Sequence, residues 1–461
     1  MALLGPKRSL HPSQVVAISF TAVILLGTVA LMSPWASSDG KSINFFDALF
    51  TATSAVTVTG LSTLDSELQW TLFGHVTIGL LIQIGGFGIL GFASLVGYLL
   101  EGRISLKSKM LTSSEASVTV STDIKTLLRD IAKLMLGFQL VLFIFLFFRF
   151  LTEYQYTWEK ALGHGIFHAI SSFNNAGFAL YSDSMIRFAR DPWIIVPLFI
   201  TVALASLGFP VLAEIRERLK DKFKKWRDQR FVSERPRQWS LNTRIVLWSS
   251  GALTVFGAVF IGVLEWNNPG TLGPLGPVDK VFDSIFASVM PRTAGFNSID
   301  VSQMNPASWI ITEILMFIGG ASASTAGGIK LGTFVILIFI IYTEIRGETA
   351  VNIGNRRLPR SMQRQALTIV ALTASVVIGS TVLLRLTTPF TLDEVLFEVV
   401  SATGTVGLST GITAQLPDHA KFLLSLLMLF GRLGPIVVAT SLALRRTKRH
   451  FEYPKERPLL G

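Results

Sequence analysis

The sequence of 461 residues contains no cysteine. A disulfide, a thiolate metal site and a cysteine nucleophile are therefore excluded. Charged residues are also scarce, at 15% of the chain, against about 25% in soluble proteins. Hydrophobic residues make up 50% of the chain, which is more apolar surface than a soluble domain can bury. Hydrocarbon must therefore surround much of the protein, as in a chain that crosses a membrane several times.

The formal net charge of +11 is unevenly distributed along the chain. Basic residues are concentrated between hydrophobic stretches, in residues 101–130, 216–244, 346–364 and 445–457. This asymmetry is typical of cytoplasmic loops, and it predicts that both termini lie in the cytoplasm. Membrane orientation accounts for the positive charge, so we expect no nucleic-acid partner. The first hydrophobic stretch has no clear cleavage site after it and is interpreted as a retained helix.

Eight apolar stretches are long enough to cross about 30 Å of hydrocarbon. They lie near residues 14–33, 71–100, 131–152, 192–213, 243–264, 308–345, 366–387 and 419–444. Within each successive pair, a shorter segment separates the two stretches and ends in small polar residues and glycine. These lengths predict a short helix that enters the membrane and then returns.

The return segments each contain a glycine, and these glycines recur at a regular interval. They are Gly60, Gly177, Gly295 and Gly407, which are 112 to 118 residues apart. Such regularity indicates internal duplication. We therefore predict an all-α polytopic membrane protein with eight transmembrane helices, in four repeats of first helix (M1), pore loop and second helix (M2). The repeats surround one pore with pseudo-fourfold symmetry and are assigned to residues 1–110, 111–225, 226–350 and 351–461.

The four return segments are the candidate ion-binding site. Irregular backbone occurs at membrane depth only where it is buried or lines water, and glycine allows carbonyl groups to turn toward an axis. Rings of carbonyl oxygens can replace the hydration shell of a cation, and the C-terminal end of each short helix favours positive charge. The predicted selectivity filter comprises Thr57, Val58, Thr59, Gly60, Asn174, Asn175, Ala176, Gly177, Arg292, Thr293, Ala294, Gly295, Gly404, Thr405, Val406 and Gly407.

The sixth apolar stretch is longer than one crossing requires, and small residues interrupt it. Residues 319–330 contain four glycines and three hydroxyl residues, and each glycine disfavours a helix by about 1 kcal/mol relative to alanine. We predict a broken helix whose irregular loop can obstruct the pore. A phosphate-binding loop is the competing interpretation, but the required spacing of glycine, lysine and serine or threonine is not met. The predicted gate comprises Gly319, Gly320, Ser322, Ser324, Thr325, Gly327, Gly328, Lys330 and Arg432.

Four ionisable residues near the predicted pore carry alternative interpretations. Arg432 lies inside the eighth stretch, where an arginine is costly and indicates function, although a structural ion pair or a snorkelling side chain is the simpler alternative. Arg292 in the third filter segment and Glu398 in the fourth pore helix either pair with each other or tune the local electrostatic field, and the sequence leaves this open. His168 is interpreted as a packed or hydrogen-bonding side chain, because no second ligand stands at metal-binding spacing beside it.

The glycine motifs resemble those of the Trk/Ktr/HKT superfamily of K⁺ transporters, and the chain is most similar to KtrB-like pore-forming subunits. The motifs that carry the resemblance occupy residues 54–61, 171–178, 292–297 and 401–408, together with the Thr-Ala-Gly-Gly-Ile-Lys sequence that ends at Lys330. The resemblance implies K⁺ uptake through a carbonyl filter. Gly60 favours K⁺, because serine at the matching position accompanies Na⁺ selectivity in the superfamily. Arg432 is implied to slow the ion and to contact the gating loop.

The same resemblance implies a homodimer in the plasma membrane and a cytosolic ring of nucleotide-binding (RCK/KtrA-type) regulatory subunits. No covalent cofactor is expected, whereas K⁺ occupies the filter and Na⁺ is an expected activator. An intramembrane enzyme using Ser322, Ser324 and His168 is the alternative from another class, but it leaves the four repeats unexplained. A Na⁺-selective or poorly selective transporter of the same superfamily is the third interpretation.

Overall fold

A computed structural model of the chain describes residues 12–87, 124–227, 238–292 and 294–435. These residues are mostly helical, and their one sheet is a hairpin of β1 (Asn352–Ile353) and β2 (Arg356–Arg357). The α-helices are α1 (Pro12–Met32), α2 (Phe45–Thr57), α3 (Leu72–Gly86), α4 (Ile124–Thr152), α5 (Trp158–Asn174), α6 (Pro192–Ser206), α7 (Phe209–Arg227), α8 (Leu241–Glu265), α9 (Pro277–Val289), α10 (Pro306–Phe317), α11 (Leu331–Ile345), α12 (Arg360–Thr387), α13 (Leu392–Gly404) and α14 (Asp418–Leu433). The basic segment 445–457, most of segment 101–130 and the continuations of the second and eighth predicted spans lie outside the described residues.

Four of these helices, α1, α4, α8 and α12, are long and apolar enough to cross a membrane. Their apolar spans are Gln14–Met32, Arg129–Thr152, Leu241–Glu265 and Arg360–Thr387. Large apolar side chains remain exposed on these helices, as for Leu26 at 71% and Leu386 at 79%. Surfaces of this kind require hydrocarbon as their solvent. The chain is therefore a multi-pass membrane protein.

Each long helix is followed by a short pore helix and then by a second apolar helix. The pore helices are α2, α5, α9 and α13, and the second helices are α3, α6, α10 and α14. The second helices contain only 15, 15, 12 and 16 residues. These described segments are about 18–24 Å long, against roughly 30 Å of hydrocarbon, and the described residues end one position after α3 and two after α14. The described residues thus contain four continuous spans rather than eight, and the eight-crossing arrangement stays a prediction.

The fourth predicted span, residues 192–213, is bent rather than straight. Helix α6 ends at Ser206, and the chain axis turns by 106° before α7 continues. Gly208 lies at the bend with φ +85°, and a Cβ atom there would lie 2.7 Å from the carbonyl oxygen of Ser322. Glycine adopts this conformation without steric cost. It therefore permits both the turn and the close approach of the neighbouring segment.

The sixth predicted span is interrupted between Phe317 and Leu331, where residues 318–330 form an irregular hairpin that we name the intramembrane loop. The N–H of Gly319 donates to the carbonyl oxygen of Ile329 at 2.9 Å, and that of Leu331 donates to Gly320 at 3.0 Å. Backbone groups that a continuous helix would satisfy internally thus find partners across the loop. Such pairing allows irregular backbone to exist inside a membrane protein.

The hydrophobic core lies between the repeats as well as within them. Phe50 of the first repeat belongs to the same buried cluster as Leu315 of the third and Phe397 of the fourth. Val56 of the first repeat shares a second cluster with Phe178 of the second. The pore helices supply many of these buried side chains. Their central packing brings the four return segments together.

Candidate ion-binding site

The four glycines that the sequence places at matching positions meet in a closed ring. Their φ angles are all positive, at +96°, +69°, +66° and +100° in chain order. A Cβ atom added to Gly60 would lie 3.1 Å from the Cα of Gly177, and one added to Gly177 would lie 3.3 Å from that of Gly295. One added to Gly295 would lie 2.9 Å from the Cα of Gly407. One added to Gly407 would lie 3.0 Å from the Cα of Gly60, which closes the ring.

A carbonyl oxygen from the adjacent repeat lies against each of these glycines. The oxygens belong to Ala176, Ala294, Val406 and Thr59, and each would be less than 3.0 Å from an added Cβ atom. Among the described residues, no hydrogen bond ends on any of these four oxygens. Carbonyl oxygens with unused lone pairs are suitable ligands for a dehydrated cation. The ring therefore combines tight packing, which only glycine allows, with acceptors suited to an alkali ion.

The C-terminal ends of three pore helices direct the chain into the ring in the same way. The residue after α2, α5 and α13 is left-handed, with φ 58° at Val58, 58° at Asn175 and 50° at Thr405. In the first repeat, the N–H of Val58 donates to Ala55 and that of Thr59 donates to Ser54 at 2.8 Å. These two bonds form a Schellman motif, which ends a helix and turns the chain.

The third repeat ends its pore helix differently. Helix α9 continues into a 3₁₀ turn, Met290–Arg292, and the N–H of Ala294 donates to the carbonyl oxygen of Met290 at 2.9 Å. The predicted filter residue Thr293 lies outside the described residues. Gly295 nevertheless lies in the ring. The backbone path that leads to the glycine therefore differs among the repeats, whereas the position of the glycine is shared.

Side chains of two pore helices hold the segment that follows the ring. His168 and Glu398 both lie nine residues before their ring glycine and are buried. The Nε2 atom of His168 accepts from the N–H of Leu180 at 3.3 Å. A carboxylate oxygen of Glu398 accepts from the N–H of Thr410 at 3.2 Å. Leu180 and Thr410 each lie three residues after a ring glycine, so the second and fourth repeats use the same connection with different chemistry.

Two predicted filter residues direct their side chains to surrounding helices. The guanidinium group of Arg292 donates to the carbonyl oxygen of Ser250 at 3.0 Å and to the hydroxyl oxygen of Thr254 at 2.6 Å. The Nδ2 atom of Asn174 donates to Oε1 of Gln83 at 3.0 Å. The pairing of Arg292 with Glu398, left open by the sequence, is not formed. The donor groups of both side chains are thus engaged away from the ring, and an ion ligand from Arg292, which has no side-chain acceptor, must come from its backbone.

Sequence reasoning missed two glycines of the second helices that pack against the pore helices. A Cβ atom at Gly85 would collide with the carbonyl oxygen of Val56, and one at Gly431 would collide with that of Thr403. Val56 and Thr403 occupy equivalent positions, four residues before their ring glycines. Glycines inside apolar helices were the available signal, because such positions usually have a packing reason.

The intramembrane loop packs against the C-terminal end of pore helix α13. A Cβ atom at Gly327 would lie 2.9 Å from the Cβ of Thr405 and 3.0 Å from the carbonyl oxygen of Gly404. Within the loop, Lys330 Nζ donates to the carbonyl oxygen of Ala326 at 2.6 Å. The predicted gate residues of 319–330 thus lie in one compact segment beside the ring.

Arg432 connects this loop to the first repeat. It is 4% exposed, and its guanidinium group donates to the carbonyl oxygens of Thr325 and Gly85. Among the described residues it forms no ion pair. Both simpler interpretations from the sequence, an ion pair and a snorkelling side chain, therefore disagree with its surroundings. Because no counter-ion lies beside it in the described part of the chain, this buried positive charge keeps its electrostatic field.

Ion pairs on loops and helix ends connect adjacent repeats at the side where the pore helices begin. Lys421 Nζ lies 2.7 Å from a carboxylate oxygen of Asp47. Glu67 accepts from the N–H of Ser182 at 2.9 Å and from Arg187 at 3.0 Å. Partial burial acts to raise the pKa of Glu67, but the hydrogen bonds from Ser182 and Arg187 lower that pKa overall. Glu67 is therefore ionised at neutral pH and joins the first and second repeats.

Comparisons with known proteins identify relatives along nearly the whole chain. Residues 3–450 match the TrkH family of cation transport proteins. The chain is 35% identical over 443 residues to "Ktr system potassium uptake protein B" of Bacillus subtilis (strain 168), covering 96% of this chain and 95% of that relative. It is 33% identical over 461 residues to "Potassium/sodium uptake protein NtpJ" of Enterococcus hirae, covering 99% and 98% respectively.

A solved structure has a similar fold. The crystal structure of the potassium transporter TrkH from Vibrio parahaemolyticus superposes with a TM-score of 0.72 at 17% sequence identity, covering 96% of this chain and 87% of that chain. These relatives are named as transport or uptake proteins, and none of them is named as an enzyme. The family match covers nearly all of the sequence, and the chain belongs to the TrkH family of cation transport proteins.

Proposed function

We propose that the protein takes up K⁺ across the plasma membrane by channel-like permeation through the glycine ring. The closed ring, in which every glycine faces a carbonyl oxygen of another repeat, is the observation that carries this proposal. The names of the relatives agree with it, since they are described as potassium or potassium/sodium uptake proteins. A membrane potential provides about 2.3 kcal/mol per charge per 100 mV, which is sufficient to accumulate K⁺ without ATP chemistry in this chain.

The ring favours one main ion site rather than a row of equivalent sites. Carbonyl oxygens would replace the hydration shell of K⁺, and the C-terminal ends of the four pore helices would add a favourable dipole field. Outside the ring the repeats differ, since Thr57, Asn174, Arg292 and Gly404 occupy equivalent positions. Regular fourfold coordination is therefore expected at the glycines and their preceding carbonyl groups.

The intramembrane loop and Arg432 are proposed to form the gate. The loop contacts Thr405 and Gly404 at the end of a pore helix, and Arg432 binds both the loop and the first repeat. A displacement of the loop would change the obstruction and the position of the guanidinium charge together. This arrangement supports a gate that is held closed by hydrogen bonds and opened by movement of the loop.

The remaining proposals concern topology and assembly. We propose eight membrane crossings in four repeats, with boundaries near residues 110, 225 and 350 and both termini in the cytoplasm. A homodimer, a cytosolic nucleotide-binding regulatory ring and Na⁺ as an activator follow from the family. The described basic segment 346–364, which includes the exposed residues Arg356 and Arg357 of the β-hairpin, is a suitable docking surface for such a ring.

Tracer flux into proteoliposomes tests the proposed function directly. K⁺ uptake should follow an imposed inside-negative potential, and excess Na⁺ outside should compete weakly with it. Gly60→Ser should reduce the preference for K⁺ over Na⁺, because its Cβ atom would displace the backbone of Ala176 and Gly177. Equal competition by Na⁺ in the unchanged protein would instead favour a transporter that carries both ions, in line with the name of the Enterococcus hirae relative, a potassium/sodium uptake protein. The absence of flux for both ions would contradict the proposal.

A further inference from the structure

Helix α7 leaves the helical bundle at nearly a right angle. Its axis is turned by 106° from that of α6. If α6 runs along the membrane normal, α7 lies within 106 − 90 = 16° of the membrane plane. Helix α7 contains 19 residues, so it extends about 28 Å in this direction. A helix in this orientation runs along a membrane surface instead of crossing the membrane.

One face of α7 carries a stripe of large apolar side chains that the protein leaves uncovered. Leu219, Phe223 and Trp226 are 62%, 59% and 77% exposed. Their spacing of four and three residues places them on one face of the helix. Leu212 lies on the same stripe but is only 5% exposed. The stripe therefore begins in the protein core and continues beyond it.

Basic side chains flank this stripe, and acidic ones lie on the opposite side. Residues 209–227 contain seven basic and three acidic residues. Arg216, Lys220 and Lys222 are exposed, and each lies about 100° or less around the helix from a residue of the stripe. Asp221 is two residues from both Leu219 and Phe223 and thus faces the other way. This charge distribution is typical of helices that lie in the boundary of an anionic membrane.

Contacts with the start of α8 fix the orientation of α7. Glu214 accepts from the N–H of Ser240 at 3.0 Å and also from the hydroxyl group of Thr243. The guanidinium carbon of Arg218 lies 3.6 Å from the centre of the Trp239 ring. Glu214 and Arg218 are one turn apart, on a side of the helix away from the apolar stripe. The helix therefore cannot rotate to bury the stripe without losing these contacts.

We propose that α7 lies in the headgroup boundary of the inner leaflet and binds anionic phospholipid. Leu219, Phe223 and Trp226 insert among the acyl chains, and the flanking basic side chains contact the lipid phosphates. The continuity of α7 with the membrane helix α6 and the flanking positive charges both favour lipid over a protein partner.

The N-terminal end of α7 is bonded directly to the intramembrane loop. The N–H of Phe209 donates to the carbonyl oxygen of Ala323 at 3.1 Å. Just before the bend, the carbonyl oxygen of Ser206 accepts from the N–H of Ala321 at 2.9 Å. Lipid that fixes α7 thereby also biases the position of the loop. This second step, in which anionic lipid regulates flux, rests on the proposed function of the loop as a gate.

The lipid contact can be tested without a transport measurement. Because the chain contains no cysteine, a single introduced cysteine can be labelled specifically. A single Phe223→Cys or Asp221→Cys substitution carries an environment-sensitive fluorophore, and the protein is reconstituted with lipids that bear a doxyl quencher. The label at position 223 should be quenched several-fold more than the matched label at position 221. Trp226→Cys repeats the test if Phe223→Cys does not fold. Equal quenching at both faces, or protection from quenching that depends on protein concentration, would overturn the lipid assignment.

The charge contribution and the link to the loop need a second comparison. Vesicles contain phosphatidylcholine alone or a mixture with phosphatidylglycerol, and the variants are Arg216→Gln/Lys220→Gln/Lys222→Gln and the control Asp221→Asn. The triple variant should weaken the apparent affinity for phosphatidylglycerol by about tenfold or more, while the control keeps it. Unchanged affinity would refute the anionic-lipid site. If lipid binding is normal but K⁺ flux is the same with and without phosphatidylglycerol, only the link to the loop is refuted.

Discussion

Replacing Gly407 by alanine tests the contact that closes the glycine ring, and Gly411 provides a matched control. Both glycines have φ +100°, so alanine introduces similar backbone strain at each, on the order of 1–3 kcal/mol. Nothing lies within 4 Å of an added Cβ atom at Gly411, whereas one at Gly407 would lie 3.0 Å from the Cα of Gly60. The carbonyl oxygen of Thr59 would lie only 2.2 Å from the same Cβ atom, so restoring an ordinary contact of 3.4 Å requires the two backbones to separate by about 1.2 Å.

A displacement of this size changes the carbonyl ring without unfolding the protein. We expect Gly407→Ala to reduce the permeability ratio of K⁺ to Na⁺ by about tenfold, which corresponds to about 1.4 kcal/mol. Gly411→Ala should keep the ratio and lose only the thermal stability that backbone strain costs, whereas Gly407→Ala should lose more because it adds the backbone clash. Competitive tracer flux in proteoliposomes and thermal unfolding in detergent measure the two quantities. An unchanged ratio in Gly407→Ala, or an equal loss in both variants, would refute the role assigned to the ring contact.

Three further outcomes are expected. Deleting residues 321–326 should raise basal K⁺ flux because it removes the centre of the intramembrane loop; a fall or no change, with folded protein in the membrane, would contradict the gate. Glu398→Leu leaves three hydrogen-bond donors without their acceptor and should destabilise the fold by about 3 kcal/mol. Glu398→Gln retains an acceptor and should lose less stability. Equal unfolding temperatures for the two variants would count against this connection. The folded-state pKa of Glu67 lies below its ordinary value near 4.5. The ionised side chain therefore stabilises the fold above that value, and this stabilisation is lost as the pH falls through the folded-state pKa. Glu67→Gln should make the unfolding temperature decrease less on acidification, and an unchanged decrease would exclude Glu67 as its source.

Local sequence patterns predict the helical membrane fold well because they act within short segments. The four long helices coincide with long apolar stretches, and the pore helices precede the four regularly spaced glycines. The family resemblance carried by these motifs is confirmed by the match over residues 3–450. The ion-binding role of the glycines stays a prediction, although their common ring is a structural feature that repetition alone could suggest.

Features set by distant contacts could not be predicted from local patterns. The stretch 192–213 is almost entirely apolar, so its hydrophobicity predicts one span; Gly208 and Pro210 indicate a possible break but not the angle of the bend or its partner. That bend accommodates Ser322, which comes from another repeat. The partners of Arg292 lie on α8, about forty residues earlier in the chain. Such side-chain directions depend on tertiary packing, and a motif match to filter sequences does not contain them.

The first and last repeats are neighbours in space although they are the most distant in sequence. Gly407 packs on Gly60, and the ion pair of Lys421 with Asp47 joins residues 374 positions apart. During biosynthesis the ring can close only after the fourth repeat has been made. Contacts between such distant parts of the sequence form slowly. A polypeptide that ends before the fourth repeat lacks Gly407 and Lys421, so both the ring and the ion pair with the first repeat stay incomplete.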